Sequence, residues 1–186
     1  MRLLRVLGFL LTLVVFLALA GAGAVFYAFW HYGRGLPDYE QLADYEPPVT
    51  TRVHAGDGRL IAEYARERRL FVPVDAIPKR VIEAFLSAED KNFYTHAGVD
   101  FLGIARAIVQ NATNRLEGDN RRPVGASTIT QQVAKNFLLG NELSYSRKVR
   151  EAILAFRIER AFTKQRILEL YLNEIYLGYG AYGVAA

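Results

Sequence analysis

Ile82-Glu83-Ala84-Phe85-Leu86-Ser87-Ala88-Glu89-Asp90-Lys91-Asn92-Phe93 decides how this chain is read, because a carboxylate sits where an apolar side chain belongs. On a helical wheel of about 100° per residue, Ile82, Phe85, Leu86 and Phe93 share one face, which predicts a helix over residues 78–94. Glu89 falls inside that face, three or four positions from Phe85, Leu86 and Phe93, and Asp90 lies toward its edge. A carboxylate among apolar neighbours loses hydration, which favours its neutral form, raises its pKa and suits it to proton transfer. A Glu that reaches past the apolar edge to a basic partner would satisfy the same pattern, so on the wheel alone the two roles stand level. Lys91 to Gly98 reads as the helix end, with Gly98 at its C-cap. His96 reads as a hydrogen-bonded support behind the site.

Toward the C-terminus the helical pattern continues over 100–114, 128–139, 146–162 and 164–177, with a polar loop at Leu116–Pro123. Gly125-Ala126-Ser127-Thr128-Ile129-Thr130-Gln131-Gln132 carries no charge but many hydrogen-bonding groups. Thr128 and Gln131 have the spacing of a capping box for the helix bearing Val133, Ala134 and Phe137, and the exposed amides of that first turn would suit a sugar or a phosphate oxygen. In the helix over 146–162, Val149, Ile153 and Phe156 mark one apolar face and Leu154, Ile158 and Phe162 another. Glu151 lies along the second, with Arg147 four residues and Lys148 three residues before it, an arrangement that holds the carboxylate ionised. Two carboxylates in unlike environments are what acid–base chemistry needs, and a basic pair at a helix start suits a diphosphate. An ordinary surface ion pair has the same spacing. Thr163 is placed to cap the last helix and Gly178 to end it.

Toward the N-terminus, Gly56-Asp57-Gly58 between Thr50–His54 and Leu60–Tyr64 signals a hairpin, and Leu70–Val74 is a candidate third strand. Residues 31–49, rich in Gly, Pro and acidic side chains, read as a linker. Before them, no charged residue occurs from Val6 to Trp30. About 25 apolar residues at ~1.5 Å each span ~37 Å, enough for a hydrocarbon core of ~30 Å. Phe26, Tyr27, Phe29 and Trp30 form an aromatic collar. Arg2 and Arg5 before the span, against Asp38, Glu40, Asp44 and Glu46 after it, put the N-terminus in the cytoplasm and the rest outside. A cleaved signal peptide fits Ala18-Leu19-Ala20, but the apolar run continues well past that site, which favours an anchor. The chain has no cysteine, so the exported part is held by its core and offers no thiolate to a metal. Its net charge of +4 excludes little.

Taken together, these motifs resemble glycosyltransferase family 51. Glu89, Asp90, Phe93, His96 and Gly98 meet its Glu-Asp-x-x-Phe-x-x-His-x-Gly motif. Gly125 to Gln132 meet Gly-x-Ser-Thr-Ile-Thr-Gln-Gln, and Arg147, Lys148 and Glu151 meet Arg-Lys-x-x-Glu. Lys164–Asn173 matches the fourth motif, and Ile175–Gly178 with Gly183 and Val184 begins the fifth, all in family order. The hairpin region, with Asp57–Ala62, Arg68 and Arg69, resembles bifunctional class A penicillin-binding proteins. Those continue into a serine transpeptidase domain, whereas this sequence contains no Ser-x-x-Lys or Lys-Thr-Gly. The resemblance therefore leads us to expect a fragment: a tail at 1–5, an anchor at 6–30, a linker at 31–49, a β-rich segment at 50–77 and an incomplete glycosyltransferase domain at 78–186.

The resemblance implies a mainly α, lysozyme-like domain with a small β element, preceded by one transmembrane helix, on the outer face of a bacterial cytoplasmic membrane. It implies polymerisation of lipid II by a growing glycan on undecaprenyl diphosphate, with Glu89 as base and Arg147 and Lys148 on the leaving group. Glu151 would orient that pair or bind a divalent cation, Mg or Mn; no organic cofactor is implied. Asp90, Phe93, His96, Ser127, Thr128, Gln131, Gln132 and Lys135 join the substrate-binding set. Membrane lipids and other cell-wall synthesis proteins are the implied partners, and nucleic acid is not. A lysozyme-type lytic enzyme and a non-catalytic scaffold are the rival readings.

Overall fold

The computed structural model describes residues 2–45, 51–64, 68–118, 122–140, 142 and 144–186. The expected tail, the expected linker, the start of the expected first strand and the Leu116–Pro123 loop thus fall partly outside the described residues. Helix α1, Arg2–Tyr32, is exposed along almost its whole apolar length, and its Arg5–Tyr32 stretch has a mean hydropathy of 2.5, long and apolar enough to cross a membrane. It touches the rest of the chain at its C-terminal end. There Phe29 lies 6.2 Å from Phe156, ring to ring, and Arg157 Nη2 donates to the Gly33 carbonyl at 3.1 Å.

The described part of the expected linker is more than a tether. Leu42 is 1% exposed in the core, and Arg166 Nη2 donates to the carbonyls of Leu42 and Ala43. Strands β1, Thr51–His54, and β2, Leu60–Tyr64, form the expected antiparallel hairpin, turned at Gly58 with φ +83°. The third strand does not extend it. Strand β3 is Arg68–Arg69 and pairs in parallel with β5, Ala181–Tyr182, which pairs antiparallel with β4, Tyr176–Gly178. Residues 70–74 fail as a strand because side chains of the last helix take their backbone groups. Asn173 accepts from Val72 N–H and donates to Val72 C=O, and Glu169 accepts from Val74 N–H.

Among the described residues five helices make the body: α2, Lys79–Glu89; α3, Phe101–Leu116; α4, Ile129–Ala134; α5, Tyr145–Ala161; and α6, Lys164–Glu174. Helix α4 runs on as one π turn, Lys135–Leu139, and stops at Gly140, φ +71°. Ile129, Val133, Leu154, Ile158, Ile167, Leu168, Leu170 and Leu172 are at most 1% exposed, so the core lies among α4, α5 and α6. Burial on both faces of α5 follows from its two apolar stripes. Asp100, Thr128, Ser144 and Thr163 cap α3, α4, α5 and α6 through side-chain oxygens.

Two helix ends differ from expectation. Helix α2 stops at Glu89, and 90–98 form turns, because the Asp90 carboxylate is committed elsewhere in the fold. Helix α6 stops at Glu174, and Gly178 sits in β4. Gly98 caps no helix. It takes φ +100° where a Cβ would lie 2.7 Å from the Ala155 backbone, so this loop packs directly on α5.

Candidate active site

Glu89, the last residue of α2, stands exposed at the rim of a cavity of about 510 Å³ that also borders Ser127, Gln132, Lys135, Lys148 and Glu151. Its Oε2 accepts from Gln132 Nε2 at 2.9 Å. The expectation that Glu89 is dehydrated among Phe85, Leu86 and Phe93 is therefore wrong. With α2 ending at residue 89, Phe93 leaves the wheel and becomes a fully buried core residue below a loop. Glu89 opens into the cleft.

Asp90 is the carboxylate that is buried. It accepts from His96 Nε2 at 2.9 and 3.1 Å and from Ile129 N–H at 3.0 Å, and so joins the end of α2 to the start of α4. Gly98 N–H donates to His96 Nδ1, which assigns the proton to Nε2 when the ring is neutral. Thr128 Oγ1 donates to the Gly98 carbonyl at 2.6 Å and accepts from Gln131 N–H, while Gln131 Oε1 accepts from Thr128 N–H. The capping box is present, and the first-turn N–H groups of Ile129 and Gln131 are taken by Asp90 and Thr128. Of the two readings open to this segment, a helix start that offers amides to a ligand and a well-capped helix start, these bonds favour the second. Lys164 closes the loop from the other side, donating to the His96 carbonyl and to Glu159 and lying 4.4 Å over the Phe93 ring.

On the far wall, Glu151 is 1% exposed and ion-paired with Arg147 on one oxygen and with Lys148 Nζ on the other, the latter at 2.7 Å. Lys148 also donates to Ser127 Oγ at 2.6 Å. Half-burial, followed by the neighbouring charges of Arg147 and Lys135, lowers the Lys148 pKa below that of an ordinary lysine. Among the described residues no group of three His, Cys, Asp or Glu is placed to hold a metal.

A second cavity, of about 360 Å³, lies on the other side of Glu89 and borders Asn92, Asp100, Arg106 and Gln110. The sequence reading missed these four residues. Arg106 and Gln110 are one helical turn apart on α3, a spacing that could have placed them together. Of the expected set, Glu89, Ser127, Gln131, Gln132, Lys135, Arg147, Lys148 and Glu151 line the first cavity. Asp90 and Thr128 reach only the floor of the second, at 6% and 2% exposure, and neither Phe93 nor His96 lines either cavity. Among the described residues the buried Tyr171 hydroxyl has no hydrogen-bond partner, and burial, then the Glu89 charge, keeps it protonated well above the usual phenol range.

Residues 57–186 match the family model described as Transglycosylase. The chain belongs to the transglycosylase family. Relatives of this transglycosylase chain include Penicillin-binding protein 1A of Rickettsia felis, 58% identical over 178 residues, or 96% of this chain and 22% of the relative. The protein of the same name from Escherichia coli (strain K12) is 44% identical over 178 residues, 96% of this chain and 20% of that one. Penicillin-binding protein 1A of Neisseria flavescens is 45% identical over 170 residues, 91% and 21% respectively. The transglycosylase chain spans about a fifth of the length of the curated relatives it matches. The family read from the motifs, and the likeness to class A penicillin-binding proteins, both hold.

Proposed function

We propose that the chain carries the site that polymerises lipid II into β-1,4-linked glycan, releasing undecaprenyl diphosphate, in bacterial cell-wall synthesis. The observation that carries this reading is the position of Glu89: an exposed carboxylate between two cavities, one of them walled by three cations. The donor's diphosphate belongs on the side of Lys135, Arg147 and Lys148. The acceptor sugar belongs on the side of Asn92, Arg106 and Gln110. Glu89 takes the proton from the acceptor 4-hydroxyl as that oxygen attacks the donor's anomeric carbon. The configuration inverts, the bond to the diphosphate breaks, and Arg147 and Lys148 stabilise the charge that develops there.

Glu151 acts through that pair. Its buried carboxylate fixes both cations, which otherwise would repel one another and point into solvent. A divalent cation at Glu151 does not fit these residues, since both of its oxygens already hold positive partners and, among the described residues, no group of three His, Cys, Asp or Glu is placed to hold a metal. No step is routed through a metal. Asp90, His96 and Thr128 are support for the rim rather than substrate ligands. The apolar α1 and its aromatic end support an anchor in the inner membrane, with the N-terminus in the cytoplasm and the domain outside. A lysozyme-like architecture accords with the helical body and its cleft.

The test is polymerisation of labelled lipid II in detergent, with this chain and with the full-length parent protein. Glu89→Gln keeps the hydrogen-bonding shape but cannot take the proton, and should slow turnover by about 10²–10⁴-fold. Turnover near that of the unsubstituted protein would remove Glu89 from the mechanism. Release of fragments from preformed glycan, with no polymer, would reassign the site to lysis.

A further inference from the structure

The proposed reaction leaves one buried polar group unused. Tyr171 lies in α6 between the buried Leu170 and Leu172, is itself 1% exposed, and among the described residues its hydroxyl has no hydrogen-bond partner. Buried hydroxyls are normally bonded, because a donor taken out of water without an acceptor lowers stability. A phenylalanine would fill the same space without that loss. The resting fold gives the hydroxyl no work.

Its surroundings point to the group it serves. The Tyr171 ring meets the Phe85 ring edge-on, at 6.1 Å and 79°. Phe85 stands one helical turn before Glu89 on α2, a spacing that puts both side chains on the same side of the helix. Tyr171 therefore packs against the turn that ends in Glu89. The Glu89 charge is felt at the phenol, where it joins burial in keeping the proton on the hydroxyl. Glu89 in turn is half held: Gln132 Nε2 takes Oε2, and among the described residues no donor bonds to Oε1. A carboxylate that takes a proton from a sugar hydroxyl needs one lone pair free for it and the rest of the group fixed.

We infer that the Tyr171 hydroxyl donates to Glu89 once substrate is bound, so that the base is held from α4 by Gln132 and from α6 by Tyr171; the inference rests on Glu89 as the base in the reading above. Tyr171 is then a positioning residue, which touches no sugar and acts through the carboxylate. Catalytic hydrogen bonds are often long in the free enzyme and tighten in the substrate complex, where the bound sugar excludes water from the base. The donor favours the ionised form of Glu89, which keeps it ready to accept a proton, and it leaves the remaining lone pair aimed at the cleft.

The test compares Tyr171→Phe with the unsubstituted full-length parent protein in polymerisation of labelled lipid II, with kcat and kcat/KM measured against pH. The acid limb of kcat reports the base in the substrate complex, and that of kcat/KM reports it in the free enzyme. Loss of the donor raises the pKa of Glu89 only where the hydrogen bond exists. The kcat limb should therefore move up by about one pH unit, a tenfold loss of turnover below it, while the kcat/KM limb stays. Lys135, Arg147, Lys148 and Glu151 around the first cavity, and Asp90, Lys91, Asp100 and Arg106 around the second, also surround Glu89. All are common to both proteins, so the difference reports Tyr171. The melting temperature of Tyr171→Phe should equal or exceed that of the parent, because the resting fold loses no hydrogen bond. Coincident kcat limbs overturn the inference, and so does a lowered melting temperature, which would mark the hydroxyl as a structural bond. A fluorotyrosine in place of Tyr171 is a stronger donor of nearly the same shape and should move the kcat limb down; a limb that stays also overturns it. Glu89→Gln separates the two levels of the argument. If it turns over near the parent rate, Glu89 is not the base and the underlying reading fails; if it is slow while the kcat limb ignores Tyr171, only the inference fails.

Discussion

Replacing Asp90 by alanine should destabilise the fold by about 3–6 kcal/mol, while the adjacent Glu89→Gln should cost less than about 0.5 kcal/mol. The magnitude follows from the partners. The Asp90 carboxylate, 2% exposed, accepts from His96 Nε2 and Ile129 N–H, and the alanine variant leaves both donors without it. A hydrogen bond to a charged group contributes about 1.5–3 kcal/mol net, so two give about 3–6. Asp90 forms part of the floor of the second cavity, where water can enter, which favours the lower half of that range. Asp90→Asn keeps one acceptor oxygen and should lose about half as much as alanine. Glu89 makes one exposed hydrogen bond, to Gln132, which glutamine can retain. The assay is urea unfolding of the detergent-solubilised chain, followed by near-ultraviolet circular dichroism. If Asp90→Ala lies within about 1 kcal/mol of the parent, or Glu89→Gln costs more than that, the division of labour between these neighbours is wrong.

On the proposed role of Lys148, whose protonated form stabilises the leaving group, its lowered pKa should put the alkaline limb of the rate profile below where an ordinary lysine would place it. Lys148→Arg stays charged and should move that limb upward; a limb that stays put would dissociate it from Lys148. Asp100 has its pKa held below 3.8 first by Gly103 N–H, against desolvation, with Asn92, Arg106 and His96 adding to the shift. Its stabilisation is therefore complete above pH 3.8 and lost as pH falls through the lower folded value. Asp100→Ala should cost about 1 kcal/mol at neutral pH, and the gap from the parent should close in acid; a gap independent of pH would contradict the capping role. Gly98→Ala drives a Cβ into the Ala155 backbone at 2.7 Å from a positive φ, and should cost at least about 2 kcal/mol by thermal unfolding. An unchanged melting temperature would show that the loop does not pack as described.

Much of the architecture was written in local pattern. The apolar run that makes α1, the two stripes of α5, the Asp57-Gly58 turn and the caps at Thr128 and Thr163 depend on residues a few positions apart, and local sequence specifies such features. The ion cluster of Arg147, Lys148 and Glu151 was legible for the same reason, being spaced three and four along one helix. The motifs also carried the family, which the match over residues 57–186 bears out.

What the sequence could not supply were partners far away in the chain. The end of α2 was misplaced because the Asp90 carboxylate bonds to Ile129, 39 residues on, and that long-range bond outweighs helix continuation. Residues 70–74 were read as a strand because their ladder partner is a side chain, Asn173, 101 residues away. The same tertiary choice exchanged the environments of the two acidic neighbours. Periodicity put Glu89 in the core and Asp90 at its edge; folding buried Asp90 and released Glu89 into the cleft. Sequence thus determined which side chains this protein has for the proposed acid–base and diphosphate chemistry. Only the tertiary structure decided which of them meets solvent, because burial depends on where a helix stops, and a helix stops where hydrogen bonds to the rest of the fold outweigh one more turn.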